Sequence, residues 1–240
     1  MAESSVHDFV ERLASVPSDD GRNNFLDHSI AGNAQRRHNL ELYLGEMLDR
    51  APKVLLLGEA PGFRGMRITG VPFTNRTMFQ GPANSFGLFG PGKGYVLPAD
   101  AAGIAAEPTA TVMWEVLSEL QFLPLLWSAC PWHTHVPGKP QTNRTPRTSD
   151  TRLGTPFWQS LTELFQIRTV VAVGNVAHRS LLLNGIEVPK VRHPSHGGRS
   201  GFKQGLADLL EAGMPGRLQD VPQLSPPVPP VVPAVTSRSL

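Results

Sequence analysis

Residues 54–57 read VLLL and run straight into residues 58–74, GEAPGFRGMRITGVPFT. Four consecutive apolar residues with no polar alternation suit a strand covered on both faces, as in a parallel sheet. A glycine- and proline-rich turn after such a strand is where an α/β protein meets its ligand. This turn also carries a carboxylate, Glu59, so the ligand has to be one that uses a carboxylate beside it.

The same alternation of signals continues along the chain. Apolar or β-branched runs at 125–129, 169–173 and 188–191 are the further strand candidates. Between them lie helix patterns with recognisable ends. Thr155-Pro156 reads as an N-cap followed by proline in the first turn, opening a helix over 157–166. Asn184-Gly185 closes a helix begun near Asn175, and Gly213 closes one begun near Ser200. Thr109 would cap 110–121, and the leucines of 34–48 place a helix ahead of the first strand. Four strands with intervening helices make an α/β fold, a parallel sheet with helices on both faces. Residues 75–106 are rich in Gly, Ala and Pro without periodicity and read as a long functional loop. Residues 1–215 are expected to form a single domain, and 216–240, dense in proline, an extended tail.

Composition narrows the chemistry. The chain has 240 residues, 40% of them hydrophobic, and a formal net charge of +2, which permits nucleic-acid binding without arguing for it. Its single cysteine, Cys130, excludes an internal disulfide, a multi-cysteine zinc site and a cluster on four thiolates of this chain. No apolar run approaches the roughly 20 residues that cross a bilayer, and the first residues lack the pattern of a signal peptide. A soluble, cytoplasmic monomer that does not contact membranes is the expectation.

If ligands bind at the carboxyl ends of the strands, one rim gathers Glu59, Ser128, His133, His135, Asn175, His193 and His196. A phosphate cradle fits poorly, because GEAPG lacks the spacing and lysine of a P-loop and Pro61 removes an N–H. A metal hydrolase could use His133 and His135, which share a face if the segment is extended, with His193 and His196. Surface histidines near a polar ligand are the plainer reading, and the preferred one for His135. A third chemistry is cleavage at a glycosidic carbon, with Glu59 supporting water and His193 stabilising the leaving group.

The ordered set Gly58-Glu59-Ala60-Pro61-Gly62, Gly70-Val71-Pro72-Phe73 and His193-Pro194-Ser195 resembles the uracil-DNA glycosylase superfamily, nearest the branch that usually carries an iron–sulfur cluster. The similarity runs from about Asn39 to Leu210. It implies a three-layer α/β/α sandwich around a central four-stranded parallel sheet. It also implies hydrolysis of the N-glycosidic bond of uracil in DNA, after the nucleotide has left the stack. Glu59 would position water, Phe73 would stack on the base, and His193 would donate to uracil O2. Gly58, Ala60, Pro61, Ser128 and His133 would complete the base pocket. Ser195, His196 and Gly197 would form a loop pressing on DNA that contains the damaged base.

Local charge agrees with a DNA partner. Arg144 and Arg147 lie in a loop with Lys139, Arg152 and several Thr and Asn, and Arg64 and Arg199 flank the motifs. Two departures from the family pattern stand out. With Cys130 alone the chain is expected to be a cluster-free member needing no cofactor and no metal. Where superfamily members place an asparagine after the second strand, this chain has Ser128, whose hydroxyl cannot present a bidentate amide face. Selectivity for uracil is then weakened, shifted to another deaminated base, or supplied by His133 or backbone groups. A non-catalytic, nucleic-acid-binding member of the fold is the remaining alternative.

Overall fold

The computed structural model describes residues 2–217 apart from 82–85 and 100–106. In chain order they form α1 (Ala2–Ala14), β1 (Arg22–Asn23), α2 (Asn33–Arg50), β2 (Val54–Gly58), α3 (Met66–Thr69), α4 (Arg76–Gln80) and α5 (Pro108–Glu119), then β3 (Leu125–Ser128), β4 (His133–Thr134), α6 (Thr148–Leu164), β5 (Thr169–Val173), α7 (Asn175–Leu183), β6 (Lys190–Val191) and α8 (Arg199–Glu211). None of the described helices is long and apolar enough to cross a membrane.

The main sheet has the order β3-β2-β5-β6, with every neighbouring pair parallel. β2 is central, and its side chains Val54 to Leu57 are fully buried, each worth about 1.5–3 kcal/mol of apolar burial. The chain leaves β2 towards β3 on one side and then crosses to β5 on the other. Right-handed crossovers running in opposite directions put α5 and α6 on opposite faces. α8 packs against α5, and α7 against α6, which completes the three-layer sandwich. Because the connections after β2 and β5 diverge, a crevice opens at their carboxyl ends.

Several local expectations need correction. α6 begins at Thr148, two turns before Thr155-Pro156, so Pro156 lies inside the helix. Asp150 makes this start possible: its Oδ2 accepts the Arg147 N–H at 2.8 Å in the first turn. Pro156 deprives the Arg152 carbonyl of its helical donor, but both residues lie on the exposed face of the helix. α5 starts at Pro108 with Glu107 as N-cap, two residues earlier than a Thr109 cap would place it. Part of the expected loop at 75–106 is helical, as α4, where Asn75 Oδ1 accepts from Thr77 N at 3.1 Å. Arg217, inside the segment read as a tail, bridges to Phe122, and the rest of that segment from residue 218 lies outside the described residues.

Sequence patterns did not announce α1 or the small antiparallel ribbon of β1 and β4, in which Arg22 pairs with Thr134 and Asn23 with His133. The ribbon matters because it carries the loop 135–147. Asp150, 4% exposed, binds both sides: Arg144 Nη2 at 3.0 Å and Arg22 Nη1 at 3.8 Å. Arg22 in turn lies over the Trp132 ring, 5.5 Å from its centroid. Removing one partner of a buried ionic set leaves the others desolvated without compensation. Asp150→Ala is therefore expected to lower the unfolding free energy by about 3–5 kcal/mol in a urea titration; a loss within experimental error would show that the two arginines are solvated without it.

Candidate active site

The loop after β2 is fixed by continuation of the strand ladder beyond its last residue. Ala129 N–H donates to Gly58 O at 2.8 Å and Cys130 N–H to Glu59 O at 3.0 Å. Glu59 thus leaves the sheet from a rigid point and lines a pocket of about 270 Å³. That size is near the lower end of small-molecule sites, about 300–1,000 Å³, and suits a single flat ring system. Burial pushes the Glu59 carboxyl above the usual carboxylate range, against a hydrogen bond with the Thr145 side chain that favours the ionised form.

Phe73 forms one wall of the pocket. A Cβ at position 58 would lie 2.4 Å from Phe73 Cζ, so glycine at the end of β2 makes room for the ring. Phe73 has φ of 50°, a left-handed conformation that costs a bulky residue about 1–2 kcal/mol. Its carbonyl is held there by Trp114 Nε1–H at 2.9 Å. Gly58, expected in the base pocket, lies beneath the ring and does not line the cavity.

From the far side of the sheet, the loop after β6 brings His193, Ser195 and His196 to the same pocket. Ser195 N–H donates to His193 Nδ1 at 3.2 Å, which makes that nitrogen an acceptor. The Ser195 hydroxyl lies 2.7 Å from the same Nδ1, and its oxygen is 3.1 Å from His196 Nδ1. The neutral His193 ring therefore carries its proton on Nε2, which has no partner among the described residues. Burial, with His196 and Arg192 adding to it, lowers the His193 pKa and keeps the ring neutral. The loop is tight enough that a Cβ at Gly198 would come within 2.0 Å of His193 O.

Ser128, at the end of β3 and 4% exposed, lines the pocket together with Ala60 and Pro61. His133 does not. Its ring is fully buried, Nε2–H donates to Thr142 O at 2.9 Å, and burial pushes its pKa down to about 4. Base contact is closed to it, because β4 turns it into the ribbon. His135, read as a surface residue, is 7% exposed, and Asn175 starts α7 and accepts from Lys190 Nζ at 3.2 Å. The four histidines of the metal reading therefore split into a buried pair and a pocket pair. No cluster of three or more His, Cys, Asp or Glu suited to a metal occurs among the described residues.

The arginines also sort themselves. Arg144 lines the pocket, yet its guanidinium is engaged by His135 O, Thr145 O, Gly21 O and the Asp150 carboxylate, so it holds the loop together and has little left for a phosphate. Arg199 turns towards α5, where Glu119 and Glu115 neutralise it. Arg64, stacked 5.0 Å from the Phe63 ring centroid, and Arg147 are exposed. Gly197 is exposed at the turn with φ of 72° and does not line the pocket.

Two groups of pocket residues escaped sequence reasoning. Asn143 and Thr145 reach the pocket from the 135–147 loop, Asn143 Oδ1 accepting the Phe63 N–H at 2.9 Å. Glu107, the N-cap of α5, is a second carboxylate in the same cavity, its pKa pushed up by burial to about 7. The only sequence signal for Glu107 was an acidic residue before a helix-opening proline, which carries no ligand pattern.

These strand ends can be compared with known proteins. Curated protein sequences give no match. Among solved structures, the crystal structure of wild-type Pedobacter heparinus SMUG2 aligns with a TM-score of 0.60 over 88% of this chain and 97% of that chain, at 14% identity, a likeness of fold. The family model described as "Uracil DNA glycosylase superfamily" matches residues 46–212. That span takes in the Glu59 turn, the Phe73 wall, the end of β3 and the His193 loop, and the chain belongs to the uracil DNA glycosylase superfamily.

Proposed function

We propose that the protein is a DNA glycosylase that hydrolyses the N-glycosidic bond of uracil or another deaminated base. The observation that carries this reading is the convergence of Glu59 and a neutral, Nε2-protonated His193 on one ring-sized pocket walled by Phe73. The scissile bond is inaccessible inside a duplex, so the nucleotide is extruded and its base slides along Phe73. The ionised Glu59 carboxylate accepts a hydrogen bond from a water facing the sugar C1′. As the C1′–N1 bond breaks, its electron pair moves onto the base, and negative charge gathers on O2. His193 Nε2–H donates to that oxygen, a contact that strengthens in the transition state. Water adds to C1′ and its proton passes to Glu59, leaving an abasic site and the base anion; the anion takes up one proton and Glu59 gives one up, so the ionised carboxylate is restored.

A neutral imidazole suits this task. It donates without having to lose a proton, and the Ser195 N–H on Nδ1 fixes the tautomer. Ser195, His196 and Gly197 form the loop that meets the DNA, while the exposed Arg64 and Arg147 bind phosphates without reading sequence.

The direct test is a lesion panel of uracil, hypoxanthine and xanthine oligonucleotides with EDTA present. Base release by the wild-type chain is expected, with Glu59→Gln and His193→Ala each losing about 100-fold or more in single-turnover rate. Salt-sensitive DNA binding with every oligonucleotide intact would leave a binding protein and sink the catalytic reading. Because Glu59 acts as the ionised form and its pKa is raised, activity should fall as pH drops through a value above the ordinary carboxylate range of about 4. That acid limb should be missing from the residual activity of Glu59→Gln. Replacing Arg64 or Arg147 by Ala should flatten the dependence of log affinity on log salt by about one unit each, uniformly across sequences.

A further inference from the structure

Glu107 has no part in the mechanism above, yet its placement is specific. Its backbone carbonyl accepts Asn75 Nδ2–H at 3.0 Å, two residues beyond Phe73, so the helix start and the Phe73 wall are tied together. Its carboxyl does not turn back to cap α5. The two oxygens lie instead against glycine backbone: a Cβ at Gly62 would be 2.8 Å from Oε1, and one at Gly65 would be 1.9 Å from Oε2. Side chains at either position would displace the carboxyl from the pocket. No hydrogen bond or ion pair reaches it from the described residues.

Other polar and charged groups share its cavity. Glu59 shares the cavity from the β2 loop, Arg144 from the 135–147 loop is paired with Asp150, and His193 and His196 come from the β6 loop. Asn143, Thr145 and Thr109 are neutral. Burial raises the Glu107 pKa to about 7, and no ion pair to it occurs among the described residues, so near neutral pH the protonated acid is a substantial share of the group. An acid presents an O–H donor beside a C=O acceptor, whereas an ionised carboxylate only accepts.

We propose that Glu107 enters the base pocket as a neutral carboxyl whose O–H and C=O pair with the C=O and N–H of a lactam edge on the extruded base, supplying the two-point contact that Ser128 cannot make. This deepens the glycosylase reading and rests on it. Either oxygen can carry the proton, so the order of donor and acceptor is not fixed as it is in an amide. The pocket therefore takes lactams on more than one ring, uracil and hypoxanthine alike, and rejection of the amidine edge of cytosine falls to other groups.

The test compares wild type, Glu107→Gln and Glu107→Ala in two arms. In the first, base release from uracil and hypoxanthine oligonucleotides is followed across the neutral pH range. Wild type should lose activity as pH rises through about 7, since ionisation removes the donor. Glu107→Gln, which keeps a donor and an acceptor, should stay active without that alkaline limb. Glu107→Ala should lose about 10- to 100-fold in kcat/KM on both substrates. The second arm measures binding of free uracil and free hypoxanthine by calorimetry, which needs no turnover. Weaker binding to Glu107→Ala, restored in Glu107→Gln, supports the contact even if no oligonucleotide is cleaved and the glycosylase reading fails. Equal binding by all three proteins, or an alkaline limb that persists in Glu107→Gln, overturns the proposal.

Discussion

The contact of the Phe73 ring with Gly58 fixes the relation between sheet and pocket. The ring occupies space that any side chain on residue 58 would require. It therefore sits directly on the end of the central strand, one residue from Glu59. Its strained backbone is held by the Trp114 bond from α5. Asn75, two residues on, donates to the carbonyl of Glu107, the N-cap of the same helix. A flat hydrophobic wall and the carboxylates around it are thus set by one strand end and one helix start. The backbone strain is offset by packing and hydrogen bonds outside the pocket, the pattern expected where local strain serves a site.

The opposite wall depends on charge. Asp150 is buried among Arg22, Arg144 and the Arg147 N–H, and these bonds hold the loop that presents Asn143 and Thr145. Such a set contributes little net stability compared with apolar packing, because desolvation offsets most of the attraction. Its consequence is geometric: Asp150 ties the β1 strand, through Arg22, to the loop, through Arg144. It also explains why a basic loop need not be a basic surface. Arg144 and Arg199 contribute to the sequence pattern of a DNA-facing patch, yet their guanidinium groups are consumed within the protein.

What could be read in advance follows from the range of each interaction. The four apolar runs, the glycine-closed helices α7 and α8, and the meeting of Glu59 with His193 are local patterns placed by a topology with few alternatives. Thr155-Pro156 misled because a capping signal and a tolerated mid-helix proline look the same until the exposure of the freed carbonyl is known. His133 misled in a related way. It follows β3 as a rim residue should, but its pairing with Asn23 across the ribbon turns it inward, and a bridge spanning more than a hundred residues leaves no local trace. Glu107 was invisible for the complementary reason: its significance lies in the glycines of another segment, whose missing side chains leave it room.

The two pocket carboxyls show how environment divides the labour of like residues. Glu59 and Glu107 are both raised by burial, but Thr145 favours the ionised form of Glu59, and no such partner of Glu107 occurs among the described residues. In the proposed reaction Glu59 acts as the ionised group facing water and sugar, and Glu107 as the protonated one. Two charges there would oppose the negative charge that builds on the departing base, and none would leave the water without an acceptor. Separated pKa values for neighbouring acids assign such roles. The Thr145 hydroxyl that favours the ionised form of Glu59 sits on a loop held in place by Asp150, so the electrostatics of the pocket are linked to the ionic set behind it.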